Sequence, residues 1–150
     1  MSQKWGQATW LFLHSFSCKV KEEHFDSVKN EMIKIFKEIC NVLPCPYCQE
    51  HARHFIATND FSKIKTKLDY IIMIWSFHNI VNKRTGKKIY NFDNINIYNK
   101  SFLRNIIIYF ENNFMRPINN QRLLMDSLGR SLVIKHVKTF IYTNKDKFNL

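Results

Sequence analysis

Apolar residues recur along most of this chain at steps of three and four, the period of a helix with one buried face. The clearest run is Val28, Met32, Ile35 and Ile39, which predicts a helix over residues 24–42. The same spacing predicts further helices over residues 8–18, 46–57, 65–83 and 100–113. The pattern of hydrophobic and polar positions therefore predicts an all-α protein.

Proline, glycine and capping residues separate the predicted helices. Pro44 and Pro46 end the second helix, and Pro46 suits the first turn of the third because proline has no N–H to leave unpaired there. We expect a helix cap at Asn59 or Asp60. Gly86 follows the fourth helix, at the position where a glycine commonly ends one.

Two segments are less regular. Residues 87–98, "KKIYNFDNINIY", show no helical period and are predicted to be irregular. After Pro117 the apolar spacing again indicates a helix, although residues 131–142, "SLVIKHVKTFIY", would also suit a strand.

The composition narrows the class of protein. The chain has 150 residues, 45% of them hydrophobic, with three Gly and three Pro, as expected of one compact helical domain. Its formal net charge of +11 fits either a solvated basic surface or an anionic partner, such as a nucleotide cofactor, a nucleic acid or an acidic protein. No secretory signal is evident, and the longest apolar stretch, residues 70–75, is too short to cross a bilayer. We therefore expect a cytoplasmic protein without a membrane span.

The candidate chemistry lies in "LPCPYCQEHARHF", residues 43–55. Four possible zinc ligands stand in this segment: Cys45, Cys48, His51 and His54. A zinc site there would crowd its ligands, whereas structural zinc sites join two pairs from separate segments. A thioredoxin-like fold needs a strand before the motif, and the residues there have the helical period. A helix N-terminus lowers the pKa of a thiol, which argues against two inert cysteines.

Two helix faces carry side chains that suit a flat heterocyclic ligand. Trp10 and His14 are four residues apart and share one face of the first helix. Trp75, His78 and Asn82 share one face of the fourth. Taken singly, these side chains also suit core positions, but two such faces beside a CxxC favour a ligand slot with aromatic walls and polar rims. Basic side chains follow that would pair with a pyrophosphate: Lys83, Arg84, Lys87 and Lys88.

Three segments in order resemble the Erv/ALR family of FAD-linked sulfhydryl oxidases: "WGQATWLFLHSFS" at 5–17, "LPCPYCQEHARHF" at 43–55 and "HNIVNKRTGKK" at 78–88. The resemblance implies a four-helix bundle with an additional short fifth helix in a domain of residues 1–100. Residues 101–150 would be a C-terminal extension of helix packed on the same domain. The basic, Lys- and Asn-rich composition is most similar to the versions carried by large cytoplasmic DNA viruses.

The resemblance also implies a role for each motif residue. Cys48 would lie against the flavin and pass electrons to it, and Cys45 would be attacked by the incoming dithiol. FAD would be held by residues of both helix faces and of the segments around them: Gly6, Trp10, His14, Tyr47, His51, Trp75, His78, Asn79, Asn82, Lys83, Lys87, Lys88, Tyr90 and Tyr98. No metal is implied.

The implied reaction oxidises a dithiol protein, such as a thioredoxin-like carrier, and passes the electrons through FAD to O₂, which becomes hydrogen peroxide. The resemblance further implies a homodimer. A viral protein of this kind would act in the host cytoplasm or the virion.

Some features depart from the family or allow another function. Cellular members carry a further shuttle cysteine pair, and Cys18 and Cys40 do not match its place, so each is expected to be a core cysteine. A tryptophan that the family places before its HN motif is Met73 here.

The alternative function is a basic helical module that binds nucleic acid or protein, with a structural CxxC. Because the basic residues are scattered along the chain, nucleic acid is not expected as a partner.

Overall fold

The computed structural model describes residues 4–115 and 126–150 of the chain. In this part of the chain all regular secondary structure is helical, which confirms the predicted fold class. The α-helices are α1 (Lys4–Lys19), α2 (Phe25–Asn41), α3 (Pro46–Thr58), α4 (Lys67–Arg84), α5 (Leu103–Phe114) and α6 (Ser127–Thr143).

The sequence signals at the helix ends appear in the structure. The side chain of Thr66 accepts a hydrogen bond from the Asp69 N–H (3.1 Å), and the Asp69 carboxylate accepts one from the Thr66 N–H (3.0 Å), so α4 begins with a capping box. Gly86 follows α4 with a φ of 72°, a conformation that glycine adopts without steric cost. Asp60 caps a short 3₁₀ turn, Phe61–Lys63, between α3 and α4.

The segment predicted to be irregular contains a longer 3₁₀ helix, Phe92–Lys100. Asn91 begins it by accepting a hydrogen bond from the Asp93 N–H (3.0 Å). Because a local side-chain hydrogen bond forms this turn, the segment does not show the hydrophobic period of an α-helix. The segment packs along α1, and Lys19 donates to the carbonyl of Asn99 (2.9 Å).

The hydrophobic core lies between α1 and the helices packed around it. Phe12 of α1 stacks on Phe110 of α5, with ring centroids 4.7 Å apart. Phe77 of α4 meets Phe36 of α2 edge to face (5.6 Å) and lies 4.7 Å from Phe55 of α3. Each of these rings is nearly inaccessible to solvent, and truncating one to alanine would cost about 3–5 kcal/mol.

The segment 131–142, which also suited a strand, lies within α6 and packs against α2. Val133, Ile134, Val137 and Phe140 are buried at helical spacing, so tertiary packing selects the helix. Pro117 lies outside the described residues. Beyond α6, Phe148 pairs with Val20 in an isolated antiparallel bridge, which joins the end of the chain to the end of α1.

A histidine fastens α6 to α2. The two ring nitrogens of His136 lie 2.6 Å from carboxylate oxygens of Glu31 and Glu38. Burial opposes protonation of His136, but hydrogen bonds to Glu38 and Glu31 and their charges outweigh burial and raise its pKa above the ordinary value of 6.5. The doubly hydrogen-bonded imidazolium is therefore favoured in the folded protein.

We expect this histidine to make stability depend on pH. Because the folded-state pKa is raised, its stabilisation is complete below pH 6.5 and is lost as pH rises through the folded pKa. His136→Gln should therefore lower the urea midpoint at pH 6 and have a smaller effect at pH 8.5. Lys138→Gln serves as control. Lys138 lies on α6, like His136, and forms an exposed ion pair with Glu111 of α5, so the effect of this change should stay constant between these pH values. Equal effects of His136→Gln at both pH values would contradict the assignment.

Candidate active site

The CxxC pair lies where the chain turns into α3. Cys45 is the N-cap residue, with extended backbone (φ −165°), and Pro46 occupies the first turn as predicted. The Cys48 N–H donates to the sulfur of Cys45 (3.2 Å), and the Cys45 N–H donates to the carbonyl of Leu43 (2.7 Å). Both cysteines are half-buried and are free thiols in this structure. The two sulfur atoms are therefore held at the start of one helix.

The expectation of a lowered thiol pKa is wrong for Cys48 in this dithiol form. Burial, together with the hydrogen bond and charge of Cys45, raises the pKa of Cys48 to about 12. Arg84 and a backbone hydrogen bond act in the opposite direction but do not outweigh these effects. The helix-terminus argument weighed the helix dipole and free N–H groups, but not the burial of Cys48 or the effect of one thiol on the other.

An aromatic cluster joins α1 to α4 beside the cysteines. The imidazole of His78 stacks on the indole of Trp10, with centroids 4.0 Å apart and planes 10° apart. Nε2 of His14 lies 2.8 Å from Nδ1 of His78, so one of these rings donates a hydrogen bond to the other. Tyr98 stacks on the other side of His14, at 4.8 Å. The two helix faces predicted from the sequence are thus brought together.

Both histidines of this cluster are neutral at physiological pH. Burial, with a smaller effect of His78, lowers the pKa of His14 to about 3. Burial, with a smaller effect of Lys87, lowers the pKa of His78 to about 4. A neutral pair can share the hydrogen bond between them without charge repulsion, because one ring nitrogen donates and the other accepts.

A cavity of about 830 Å³ opens between α1, α3 and α4, a volume typical of small-molecule sites. Predicted site residues that line it are Gly6, Trp10, Cys45, Tyr47, Cys48, His51, His78, Asn82, Lys87 and Tyr98. Nε of Arg84, another lining residue, is buried without a hydrogen-bond partner among the described residues. The cavity therefore combines both cysteines, aromatic walls and an unsatisfied cationic donor.

Other predicted residues do not line the cavity but support its surroundings. Trp75 and Asn79 both donate to the carbonyl of Tyr90 (2.9 and 3.1 Å), and the Tyr90 N–H donates to Asn79 (2.8 Å). These bonds hold the segment after α4 against that helix. The cavity lining also leaves out His14, Lys83 and Lys88.

Trp5 and Tyr109 are among the lining residues that the sequence reasoning missed. Trp5 lies five positions before Trp10, a spacing that does not satisfy the one-face rule of three or four residues, although it stands in the first motif segment. Tyr109 comes from α5, beyond the motifs, and no sequence signal distinguished it from other surface aromatics.

The two remaining cysteines are core residues, as predicted. Cys18 and Cys40 are almost fully buried, and burial raises the pKa of both thiols. In residues 4–115 and 126–150 no group of three metal-binding side chains comes together. None of the helices described is long and apolar enough to span a membrane.

A helical bundle that presents a CxxC pair to an aromatic cavity defines a class of thiol–disulfide redox proteins. The chain belongs to the Erv1 / Alr family, whose sequence pattern matches residues 7–102. The predicted family is thereby confirmed.

Related proteins span viruses and plants. An FAD-linked sulfhydryl oxidase of African swine fever virus is 31% identical over 103 residues, which cover 68% of this chain and 86% of the viral protein. The protein of a second isolate is 31% identical over 112 residues, or 74% of this chain and 92% of that protein. An FAD-linked sulfhydryl oxidase of Arabidopsis thaliana is 24% identical over 85 residues, covering 57% and 44% of the two chains. No solved structure shows significant similarity to the chain.

Proposed function

We propose that Cys45 and Cys48 are the redox pair of an enzyme that forms disulfides in a dithiol protein. Family membership gives the enzyme class and the cofactor: the protein is a thiol oxidase, and its cofactor is FAD. The observation that carries the assignment to these two residues is their place in the lining of the 830 Å³ cavity, beside Trp10 and His78.

The proposed exchange begins with Cys45 and Cys48 joined as a disulfide. A substrate thiolate attacks the sulfur of Cys45, a mixed disulfide forms, and Cys48 leaves as a thiolate. The second substrate thiolate then attacks the substrate sulfur of the mixed disulfide and releases Cys45. The substrate gains a disulfide, and its two electrons now reside in the Cys45–Cys48 dithiol.

Arg84 is suited to assist Cys48 in this exchange. Burial raises the pKa of Cys48, and the positive charge of Arg84 acts in the opposite direction. The guanidinium also lies over the ring of Tyr47, 5.5 Å from its centroid, and Tyr47 stands between the two cysteines in sequence. A thiolate that forms at Cys48 would thus have a cation beside the motif, in the same cavity wall.

The lining of the cavity fits FAD. Trp10, His78 and Tyr98 offer flat surfaces, and Arg84 and Lys87 offer positive charge for a pyrophosphate. The unpartnered Nε of Arg84 is a buried donor that an anionic oxygen would satisfy. When bound, FAD supplies an acceptor for the two electrons of the dithiol, and we propose O₂ as the final acceptor, giving hydrogen peroxide.

We expect the purified protein, supplied with FAD, to show a flavin absorption spectrum that bleaches when dithiothreitol has consumed the dissolved oxygen. The colour should return on aeration, because O₂ would reoxidise the cofactor. The visible absorbance of the flavin, followed together with an oxygen electrode, measures this. A protein that binds FAD but consumes no oxygen would contradict O₂ as acceptor.

The remaining parts of the proposal concern partners. The substrate would be a separate dithiol protein, such as a thioredoxin-like carrier, because the buried Cys18 and Cys40 cannot serve as a shuttle pair. We also propose a homodimer, which sedimentation equilibrium would test, and action in the host cytoplasm or virion.

A further inference from the structure

The side chain of Gln49, next to Cys48 on α3, is buried and makes three hydrogen bonds. Its amide nitrogen donates to the carbonyl of Leu43 (2.7 Å) and to the carboxylate of Asp126 (3.0 Å). Its amide oxygen accepts from Arg53 (3.4 Å). Asp126 precedes α6 and lies outside the segment that matches the family, residues 7–102. The redox motif is thus bonded directly to the C-terminal extension.

The Leu43 carbonyl links this contact to the outer cysteine. It accepts both the Gln49 amide and the N–H of Cys45 (2.7 Å), and so the turn through Pro44 is fixed at both of its ends. That turn places Cys45 as N-cap, with its sulfur accepting the N–H of Cys48 (3.2 Å). The position of the Cys45 sulfur therefore depends on a chain of hydrogen bonds that ends at Asp126.

Asp126 is itself held firmly against the loop. Its carbonyl accepts the N–H of Arg130 (2.9 Å), in the first turn of α6. Arg130 is 2% exposed; burial lowers the pKa of its guanidinium, and the charge of Asp126 opposes this shift without outweighing it. Gly129 lets the helix approach α2 closely, since a Cβ there would lie 3.1 Å from a methyl group of Val42. The Asp126 carboxylate is consequently a fixed partner for Gln49.

We propose that Gln49 and Asp126 are positioning residues through which α6 sets the oxidising strength of the Cys45–Cys48 pair. The inference rests on the proposed redox role of the two cysteines. The disulfide needs the two sulfur atoms side by side at the start of α3, and the hydrogen bonds through Leu43 hold the dithiol in that arrangement. The contact therefore favours the disulfide over the dithiol, and stabilising the oxidised form makes a pair less oxidising.

The test equilibrates the protein with mixtures of reduced and oxidised dithiothreitol, then alkylates it and measures the dithiol fraction by mass spectrometry. Dithiothreitol gives two electrons and two protons to the Cys45–Cys48 disulfide and becomes a cyclic disulfide. Asp126→Ala should raise the equilibrium constant for this reduction roughly tenfold, as expected for one hydrogen bond to a charged group, or about 30 mV for a two-electron couple. Asp126→Asn, which keeps an acceptor oxygen, should stay within about threefold of the native protein.

A second variant and a matched control test the contact itself. Gln49→Glu removes both amide donors and should raise the constant at least as far as Asp126→Ala. Adding Asp126→Asn to it should reverse part of this change, because an asparagine amide can donate to the new carboxylate. His136→Gln loosens α6 at its other contact, with Glu31 and Glu38, and should leave the equilibrium constant unchanged.

Each outcome has one meaning. A folded Asp126→Ala protein with the native constant would overturn the proposal, as would an equal shift in His136→Gln or no recovery in the double variant. The equilibration excludes oxygen, so no electrons leave the dithiol by turnover and the dithiol fraction reports the thiol–disulfide equilibrium. A protein that shows the predicted shifts but fails to oxidise substrates would refute the proposed function and leave the positioning role standing.

Discussion

Replacement of Cys48 by serine is expected to reduce thiol-dependent oxygen consumption by at least about a thousandfold while FAD stays bound. The loss is large because removal of a covalently reacting group stops the reaction sequence, which binding alone replaces poorly. Serine differs from cysteine by one atom, so the wall of the cavity to which Cys48 contributes keeps its shape. Oxygen-electrode rates and the bound flavin per chain measure the two quantities.

The matched control is Cys18→Ala. Cys18 is buried in α1, its nearest hydrogen-bonding partners are Ser17 and the Ile95 carbonyl, and it does not line the cavity. We expect this variant to turn over within about twofold of the native rate. Turnover by Cys48→Ser that matched the native rate would remove Cys48 from the reaction.

Replacement of Trp10 by alanine is expected to weaken FAD binding by roughly thirtyfold or more, about 2 kcal/mol, the size found when a central aromatic contact is removed. The indole forms part of the cavity wall, stacks on His78 at 4.0 Å and lies 5.2 Å from Phe77. Its loss would free the imidazole that the cofactor is proposed to contact. Titration of the FAD-free protein with FAD, followed by flavin fluorescence, gives the affinity.

Tryptophan-to-phenylalanine changes at two positions sharpen this test. Trp10→Phe keeps a ring in the cavity wall and should recover most of the affinity. Trp75→Phe removes the hydrogen bond to the Tyr90 carbonyl but leaves the cavity lining intact, and FAD affinity within about threefold of native is expected. A larger loss with Trp75→Phe than with Trp10→Phe would place the cofactor elsewhere.

The helices could be predicted because their signals are local. The period of α2 follows from one buried face, and α3 begins at Pro46, whose ring suits a first turn. Spacing also placed Trp10 and His78 on the functional faces of their helices. The same rules left residues 131–142 undecided between helix and strand, because it is packing on α2 that selects the helix.

Features that depend on contacts distant in sequence could not be predicted in this way. The pKa of Cys48 is set by burial and by Cys45 together, and burial requires the fold to be known. The Gln49–Asp126 contact joins residues 77 positions apart, and Asp126 belongs to no motif. Tyr109 reaches the cavity because α5 packs on α1.

The packing of α5 on α1 also bears on whether the region that matches the family can be separated from the rest of the chain. The match to the family's sequence pattern ends at residue 102, yet Phe110 and Phe114, which follow it, are completely enclosed, and Phe110 lies flat against Phe12. A chain shortened to the shared region would expose that face of α1 to water. The stretch that carries the family's sequence pattern is thus shorter than the stretch that folds together. Its last residue lies between parts of the chain that share one hydrophobic core.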